Sequence, residues 1–328
     1  MAGMGKRMRP HTLTVPKPLI PVAGKPMVQR LVEDITKVCT TKIDEIGFVI
    51  GNFGKEAEAN LIQIAENVGA KGKIYYQHEA LGTAHAILCA KELLEGKVII
   101  AFADTLFRAD FKLSEENDGT IWVQKVEDPR AFGVVKINTE NVITDFIEKP
   151  QEFISDLAII GIYYIKDGAN LKNEMQYLID HDLKEKGEYQ LTNALENMKS
   201  KGIKFSPGAI NEWLDCGNKD ATVYTNQRML DINADEKLIS DSAQTINSTI
   251  IHPSYIGNNV VIENSVIGPY ASIGEGSVIK NSVIKNSIIQ SKANVNGAIL
   301  NNTMLGNSSV YKSKFKELSI GDFNVIED

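Results

Sequence analysis

Gly3-Met4-Gly5-Lys6-Arg7-Met8-Arg9-Pro10-His11-Thr12 stands at the head of the chain, and Pro16-Lys17-Pro18-Leu19-Ile20-Pro21-Val22-Ala23-Gly24-Lys25-Pro26-Met27 follows it closely. Glycines at positions 3 and 5 let backbone N–H groups approach an anion, because no Cβ intervenes. Arg7 and Arg9 add planar donor forks that match phosphate oxygens. Pro16 and Pro18 stiffen the segment that presents the Lys17 ammonium. This is the chemistry of a polyphosphate site. Two familiar phosphate motifs are excluded. Met8 stands where the dinucleotide fingerprint needs its third glycine, and the glycine spacing and Lys-Ser/Thr ending of a P-loop are absent.

Working outward, residues up to about 220 alternate short β-branched runs with helical patterns. Val28, Leu31, Val32, Ile35 and Val38 form one helical stripe. Further helices are expected over 56–65, 84–94, 171–184, 191–199 and 220–230. Strands are expected over 46–50, 74–76, 98–102, 120–126, 133–137, 142–147, 159–165 and 203–205. This rhythm predicts an α/β unit with a parallel sheet covered by helices on both faces. After about residue 240 the pattern changes. Ile256, Ile262, Ile267, Ile273, Ile279, Ile284, Ile289, Val295, Leu300, Leu305 and Val310 recur every five or six residues, separated by Asn, Ser, Gly and Lys. That period predicts a parallel β-helix, with aliphatics inside and Asn or Gly at corners.

The opening stretch closely resembles the signature of the sugar-1-phosphate nucleotidylyltransferases, of the glucose-1-phosphate thymidylyltransferase and uridylyltransferase kind. The terminal repeat resembles the left-handed β-helix of hexapeptide-repeat proteins, and its handedness rests on that resemblance. What is implied is a Rossmann-like nucleotidyltransferase domain over 1–235 and a left-handed β-helix over 245–328. The chain departs from the family at Lys6, where a small hydroxylated residue is usual, and at Ala103, where glycine is usual. In the family a short apolar strand precedes the glycine loop. The expectation is therefore that a β-branched run belongs upstream of Met1, through a late start or a truncation.

Candidate chemistry follows from the same matches. Asp104, after the apolar run 98–102, and Asp215, in Trp213-Leu214-Asp215-Cys216-Gly217, are isolated carboxylates of the kind that suits Mg²⁺, which takes oxygen ligands and few protein groups. The resemblance makes both of them metal ligands. The run Gln77-His78-Glu79-Ala80-Leu81-Gly82-Thr83-Ala84-His85-Ala86 resembles a base-binding loop. Gln77 would pair with a pyrimidine edge, Gly82 would let the base lie against the backbone, and Thr83 is a binding residue or a helix N-cap. His85 reads as a packing residue. Gly133, Gly161, Glu188, Trp213 and the pair Glu148-Lys149 match positions around the sugar phosphate. By resemblance, Arg7, Lys17, Asp104, Lys149 and Asp215 are catalytic, and Gly3, Gly5, Lys6 and Arg7 hold the nucleotide phosphates.

The implied reaction joins a nucleoside triphosphate, dTTP or UTP, to a sugar 1-phosphate such as glucose 1-phosphate, releasing pyrophosphate. The alternative is a catalytically weak or regulatory sugar-nucleotide binding protein. An acetyltransferase β-helix is disfavoured, because His252 is the sole histidine beyond the first domain. The net charge of −7 argues against nucleic acid as a partner. No apolar run suggests a membrane span. Cys39, Cys89 and Cys216 form no metal or disulfide pattern and read as free thiols in a reducing cytoplasm. The β-helix is expected to assemble a homo-oligomer, with 312–316 and 320–328 capping its end. Its removal at residue 240 is expected to spare some nucleotidyl transfer.

Overall fold

The computed structural model describes residues 5–110, 112–314, 319–323 and 325, with only the backbone of Lys6. Gly3 and part of the 312–316 and 320–328 caps, namely 315, 316, 324 and 326–328 with Glu327 and Asp328 among them, lie outside the described residues. The chain divides into two compact units: 1–20 with 25–221, and 21–24 with 222–328.

The first unit begins its α/β alternation as expected. Helix α1 (Met27–Val38) buries its predicted stripe, Val28, Leu31, Val32, Ile35 and Val38. Strands β1 (Glu45–Ile50) and β2 (Lys71–Tyr76) pair in parallel across the crossover helix α2 (Lys55–Asn67). The helix read over 84–94 is shorter. It runs as α3 (Thr83–Leu88) and resumes as a 3₁₀ turn at Lys91–Leu93.

The all-parallel expectation fails beyond this point. Strands β3 (Val98–Ala101), β4 (Thr105–Arg108), β5 (Gly119–Lys125), β6 (Gly133–Ile137), β7 (Ile143–Glu148) and β8 (Leu157–Ile165) follow without an intervening α-helix. Between β6 and β7 the connection is too short for a crossover, so those two can pair only antiparallel. Strand β8 runs antiparallel to β3, β5 and β6, and β6 and β7 form a hairpin. Helices α4 (Gly168–Asp180) and α5 (Leu191–Ser200) come next. Strand β9 (Phe205–Gly208) then pairs in parallel with β5, while β10 (Glu212–Asp215) pairs antiparallel with β4. The sheet is mixed. Its core joins Ile121, Val135, Phe146, Ile159 and Tyr163 to Leu171, Met175 and Leu195 of the helices.

Among the described residues, β1 pairs only with β2, and β3 only with β8. Residues of both strands, among them Ile46, Phe48, Val98 and Ile100, line one cavity of about 1000 Å³ with Leu31 and Ile35 of α1.

The second unit includes most of α6 (Lys219–Ile232) and a parallel β-solenoid of about 4 turns, consistent with a left-handed β-helix. Coil repeats of 17 or 16 residues match three of the predicted five-to-six-residue steps. Ile256, Ile262, Ile267, Ile273, Ile279, Ile284, Ile289 and Val295 are all buried inside. Corner asparagines 247, 264 and 281 take positive φ and hydrogen-bond in a ladder, Asn247 to Asn264 at 2.7 Å. Beside them Ser248, Ser265 and Ser282 each accept a backbone N–H from the next coil. Val310 is a correction. It is 67% exposed, because Tyr311 pairs with Val295 and takes the column of inward positions. A slip of one residue in a strand moves a side chain to the opposite face.

Candidate active site

The glycine loop closes on itself. Gly5 has φ +55°, and its carbonyl accepts hydrogen bonds from the Met8 N–H at 2.9 Å and the Thr12 hydroxyl at 2.8 Å. A Cβ on Gly5 would lie 2.9 Å from Thr12 Cγ2, so the closure needs glycine. Met8 is buried and anchors the turn, while Arg7 faces the cavity. Lys17 opens a 3₁₀ turn, Lys17–Leu19, preceded by Pro16. Its Nζ lies 2.7 Å from Asp104 Oδ2.

Asp104 sits in the turn from β3 to β4. Asp215 ends β10 opposite Thr105, and the Cys216 N–H donates to the Asp104 carbonyl at 3.0 Å. Antiparallel pairing thus brings together two carboxylates more than a hundred residues apart in sequence. Burial pushes the Asp104 carboxyl up, but the charge and hydrogen bond of Lys17 outweigh it and hold it below the ordinary range. Asp215 is pushed up by burial and by the Asp104 charge. The Gly217 N–H, Lys17 and Arg7 offset this only in part. A Cβ on Gly217 would stand 2.8 Å from Asp215 Oδ2, which explains the glycine of this motif.

The proposed base loop is more tightly tied to the protein than its sequence suggests. Gln77 is buried, with Nε2 3.1 Å from the Gly82 carbonyl and 3.0 Å from His85 Nδ1. His85 therefore does more than pack. Gly82 has φ +112°, and a Cβ there would lie 2.4 Å from the Tyr189 carbonyl oxygen. Close approach of two backbones demands this glycine. Thr83 does not cap its own helix, which begins after Gly82 without a side-chain cap. Its hydroxyl accepts the Leu191 N–H at 2.8 Å at the start of α5 and donates to Gln190 Oε1. Glu188 accepts from Gln190 Nε2 at 3.1 Å.

A second cluster forms on the β6–β7 hairpin. Gly133 pairs with Glu148, and a Cβ on it would approach Glu148 Oε2 to 3.2 Å. Glu148 accepts from Thr192 at 3.1 Å and pairs with Lys149 Nζ at 3.0 Å. Lys149 holds φ +44°, a conformation that costs a non-glycine residue about 1–2 kcal/mol. The strain turns it out of the strand beside its neighbour. Trp213 stacks edge-on against Phe132, ring centroids 5.0 Å apart. Its indole Nε1 is buried with no hydrogen-bond partner among the described residues. Gly161, φ +85°, sits at the bulge of β8. It receives the Phe102 N–H at 2.8 Å and packs against that ring, so it supports the turn that carries Asp104.

Gly5, Arg7, Lys17, Gln77, Gly82, Thr83, Asp104 and Glu188 line this cavity together with Gly217. Asp215, Gly133, Glu148, Lys149, Gly161 and Trp213 lie outside that lining. Strand β10 links the two clusters, because it carries both Trp213 and Asp215. Thr12, His85 and Thr192 are partners that sequence reasoning did not single out for a role. Thr12 and His85 bond within their own motifs, to Gly5 and Gln77, while Thr192 reaches Glu148 on a different element.

Among the described residues no cluster of three or more His, Cys, Asp or Glu side chains forms a metal site. Asp104 and Asp215 nevertheless fit Mg²⁺. They are oxygen donors on paired strands, and the charge of Asp104 already disfavours ionisation of Asp215, a repulsion that a divalent cation relieves.

A mixed sheet, a glycine–arginine loop and Asp104 at one cavity, with Asp215 on the strand paired beside it, suit nucleotidyl transfer. The nucleotidyl transferase family model matches residues 1–232, and the chain belongs to that family. Bifunctional protein GlmU of Methanococcus maripaludis strain C7 is 32% identical over 274 residues, covering 81% of this chain and 60% of that protein. The chain thus spans about 60% of the length of this relative. Glucose-1-phosphate thymidylyltransferase of Streptomyces griseus is 27% identical over 301 residues, covering 85% and 82%. The solved UDP-glucose pyrophosphorylase complexed with UDP-glucose matches at TM-score 0.58 and 22% identity, over 70% of this chain and 96% of that one. That last likeness speaks for the fold. Among the described residues no helix is long and apolar enough to cross a membrane.

Proposed function

We propose that this chain transfers a nucleotidyl group from dTTP or UTP to a sugar 1-phosphate, glucose 1-phosphate first among them, releasing pyrophosphate. The observation that carries the reading is Lys17 held 2.7 Å from Asp104 beside Asp215, at the cavity that Gly5 and Arg7 also line. Cation and carboxylates are thereby preset for a phosphate and its metal. The name of the Streptomyces relative supports the sugar and the pyrimidine.

A phosphate monoester, with its second pKa about 6, is largely dianionic at neutral pH and attacks without a general base. The reaction needs alignment of two anions and charge at the α-phosphorus. Lys149 attracts the sugar phosphate, and Glu148, steadied by Thr192, receives sugar hydroxyls. Lys17 faces the α-phosphate. Arg7 and the Gly5 backbone take the pyrophosphate side. Mg²⁺ held by Asp104 and Asp215 would supply positive charge to the triphosphate. Gln77 keeps its amide oxygen for a base edge while Gly82 and His85 fix its nitrogen.

We also propose a homo-oligomer built through residues 245–328. One solenoid face stacks Val266, Val283 and Ile299 in register, with Ile299 87% exposed. Pyrophosphate release across a panel of nucleoside triphosphates and sugar 1-phosphates, with Mg²⁺, tests the activity. Fastest turnover is expected with dTTP or UTP, and faster turnover with ATP or GTP than with both would overturn the base assignment. A thermal shift with an NDP-sugar and no turnover for any pair would replace the enzyme with a binding protein.

A further inference from the structure

The turn that follows Lys17 belongs to the other compact unit. Residues 21–24 group with 222–328, although Lys17 and everything up to residue 20 group with the first unit. Asn226 of α6, fully buried, is the hub that holds this turn. Its Oδ1 accepts the Ala23 N–H at 2.9 Å and the Ser272 hydroxyl at 2.7 Å, and its Nδ2 donates to the Tyr270 carbonyl at 3.3 Å. One side chain thus ties the turn to two solenoid residues. Ala23 and Gly24 are both left-handed, with φ of +46° and +84°. The Gly24 backbone lies against Tyr255 so closely that a Cβ would fall 2.2 Å from the ring. A non-glycine residue at positive φ persists only where its surroundings hold it, and here the Asn226 hydrogen bond does so.

The connection back to Lys17 has little slack. Pro18 and Pro21 fix two φ angles between Lys17 and the turn, and the Ile20 N–H donates to the Lys17 carbonyl at 3.1 Å. We infer that Asn226 is a positioning residue for Lys17, acting through the backbone of the turn it holds and the short segment that joins that turn to the lysine. This rests on the function proposed above for its consequence in turnover, but not for its geometry.

Two measurements on the full chain test it. The first labels lysines with an amine-reactive ester and follows Lys17 and Lys149 by peptide mass spectrometry. In Asn226→Ala the Lys17 rate should rise several-fold while Lys149 stays unchanged. An unchanged Lys17 rate, or equal increases at both lysines, overturns the inference, and neither result depends on activity. The second is a double-mutant cycle on kcat. Asn226→Ala should lower kcat by about 10- to 100-fold with little change in KM. In a Lys17→Ala background it should cost almost nothing more, because its effect is carried by that lysine. Additive losses overturn the inference, whereas absence of turnover in the unaltered protein overturns only the proposed reaction. Ser272→Ala, which removes one hydrogen bond from the hub, serves in the same assays if Asn226→Ala does not fold.

Discussion

Asp104 and Asp215 share a site, and their carboxyls are shifted in opposite directions. Lys17 holds the Asp104 carboxyl below its ordinary range, so its contribution to stability is present above the unfolded carboxyl value of about 3.9 and is lost as pH falls through the lowered folded value. Asp215 is raised. Its contribution is complete below the unfolded value and is lost as pH rises through the raised folded value. Asp104→Asn should therefore melt lower than the unaltered protein at pH 7, while Asp215→Asn should melt higher. Both differences should shrink toward pH 3. Calorimetry without added metal checks this, and equal shifts of one sign would refute the assignment. Each variant should also lose at least about 100-fold in turnover, since each removes charge compensation from the reacting phosphates. Near-normal activity of either at saturating Mg²⁺ would remove it from the metal site. Gly217→Ala should behave like a partial Asp215 variant, because its methyl group would collide with the carboxylate.

At the scale of elements, glycines mark where strands and loops meet. Gly82→Ala should destabilise by about 1–3 kcal/mol through overpacking alone, since its Cβ meets the Tyr189 backbone rather than open space. Urea unfolding checks this, and a neutral result would mean that the loop is free to move.

At the scale of the molecule, the solenoid is more than an appendage. Every proposed catalytic residue precedes residue 220, which suggests that the first unit alone carries the chemistry. Yet cutting at residue 240 removes Tyr255, Tyr270 and Ser272, the supports of the turn after Lys17. The truncated chain is expected to be folded and to turn over at least about tenfold more slowly than the full chain. Light scattering on both should show a larger assembly for the full chain, and a monomer would remove the oligomer.

Local pattern carried much of this. Helix α1 was legible because one turn-spaced stripe suffices to bury a helix face, and the solenoid because each coil repeats the same demand for an aliphatic inside and an asparagine at the corner. The glycine–arginine loop and the prolines around Lys17 stated their phosphate chemistry in sequence, since φ restriction and charge belong to single residues. Strand direction was not legible. A β-branched run reads the same in either direction, and only its partners across the sheet show that β8 runs antiparallel to its neighbours. Nor did spacing show that Thr83 caps α5, that Gly82 yields to Tyr189, or that Asn226 holds the turn beyond Lys17. Those roles depend on partners more than a hundred residues away along the chain, and hydrogen bonding and close packing are properties of distance in space.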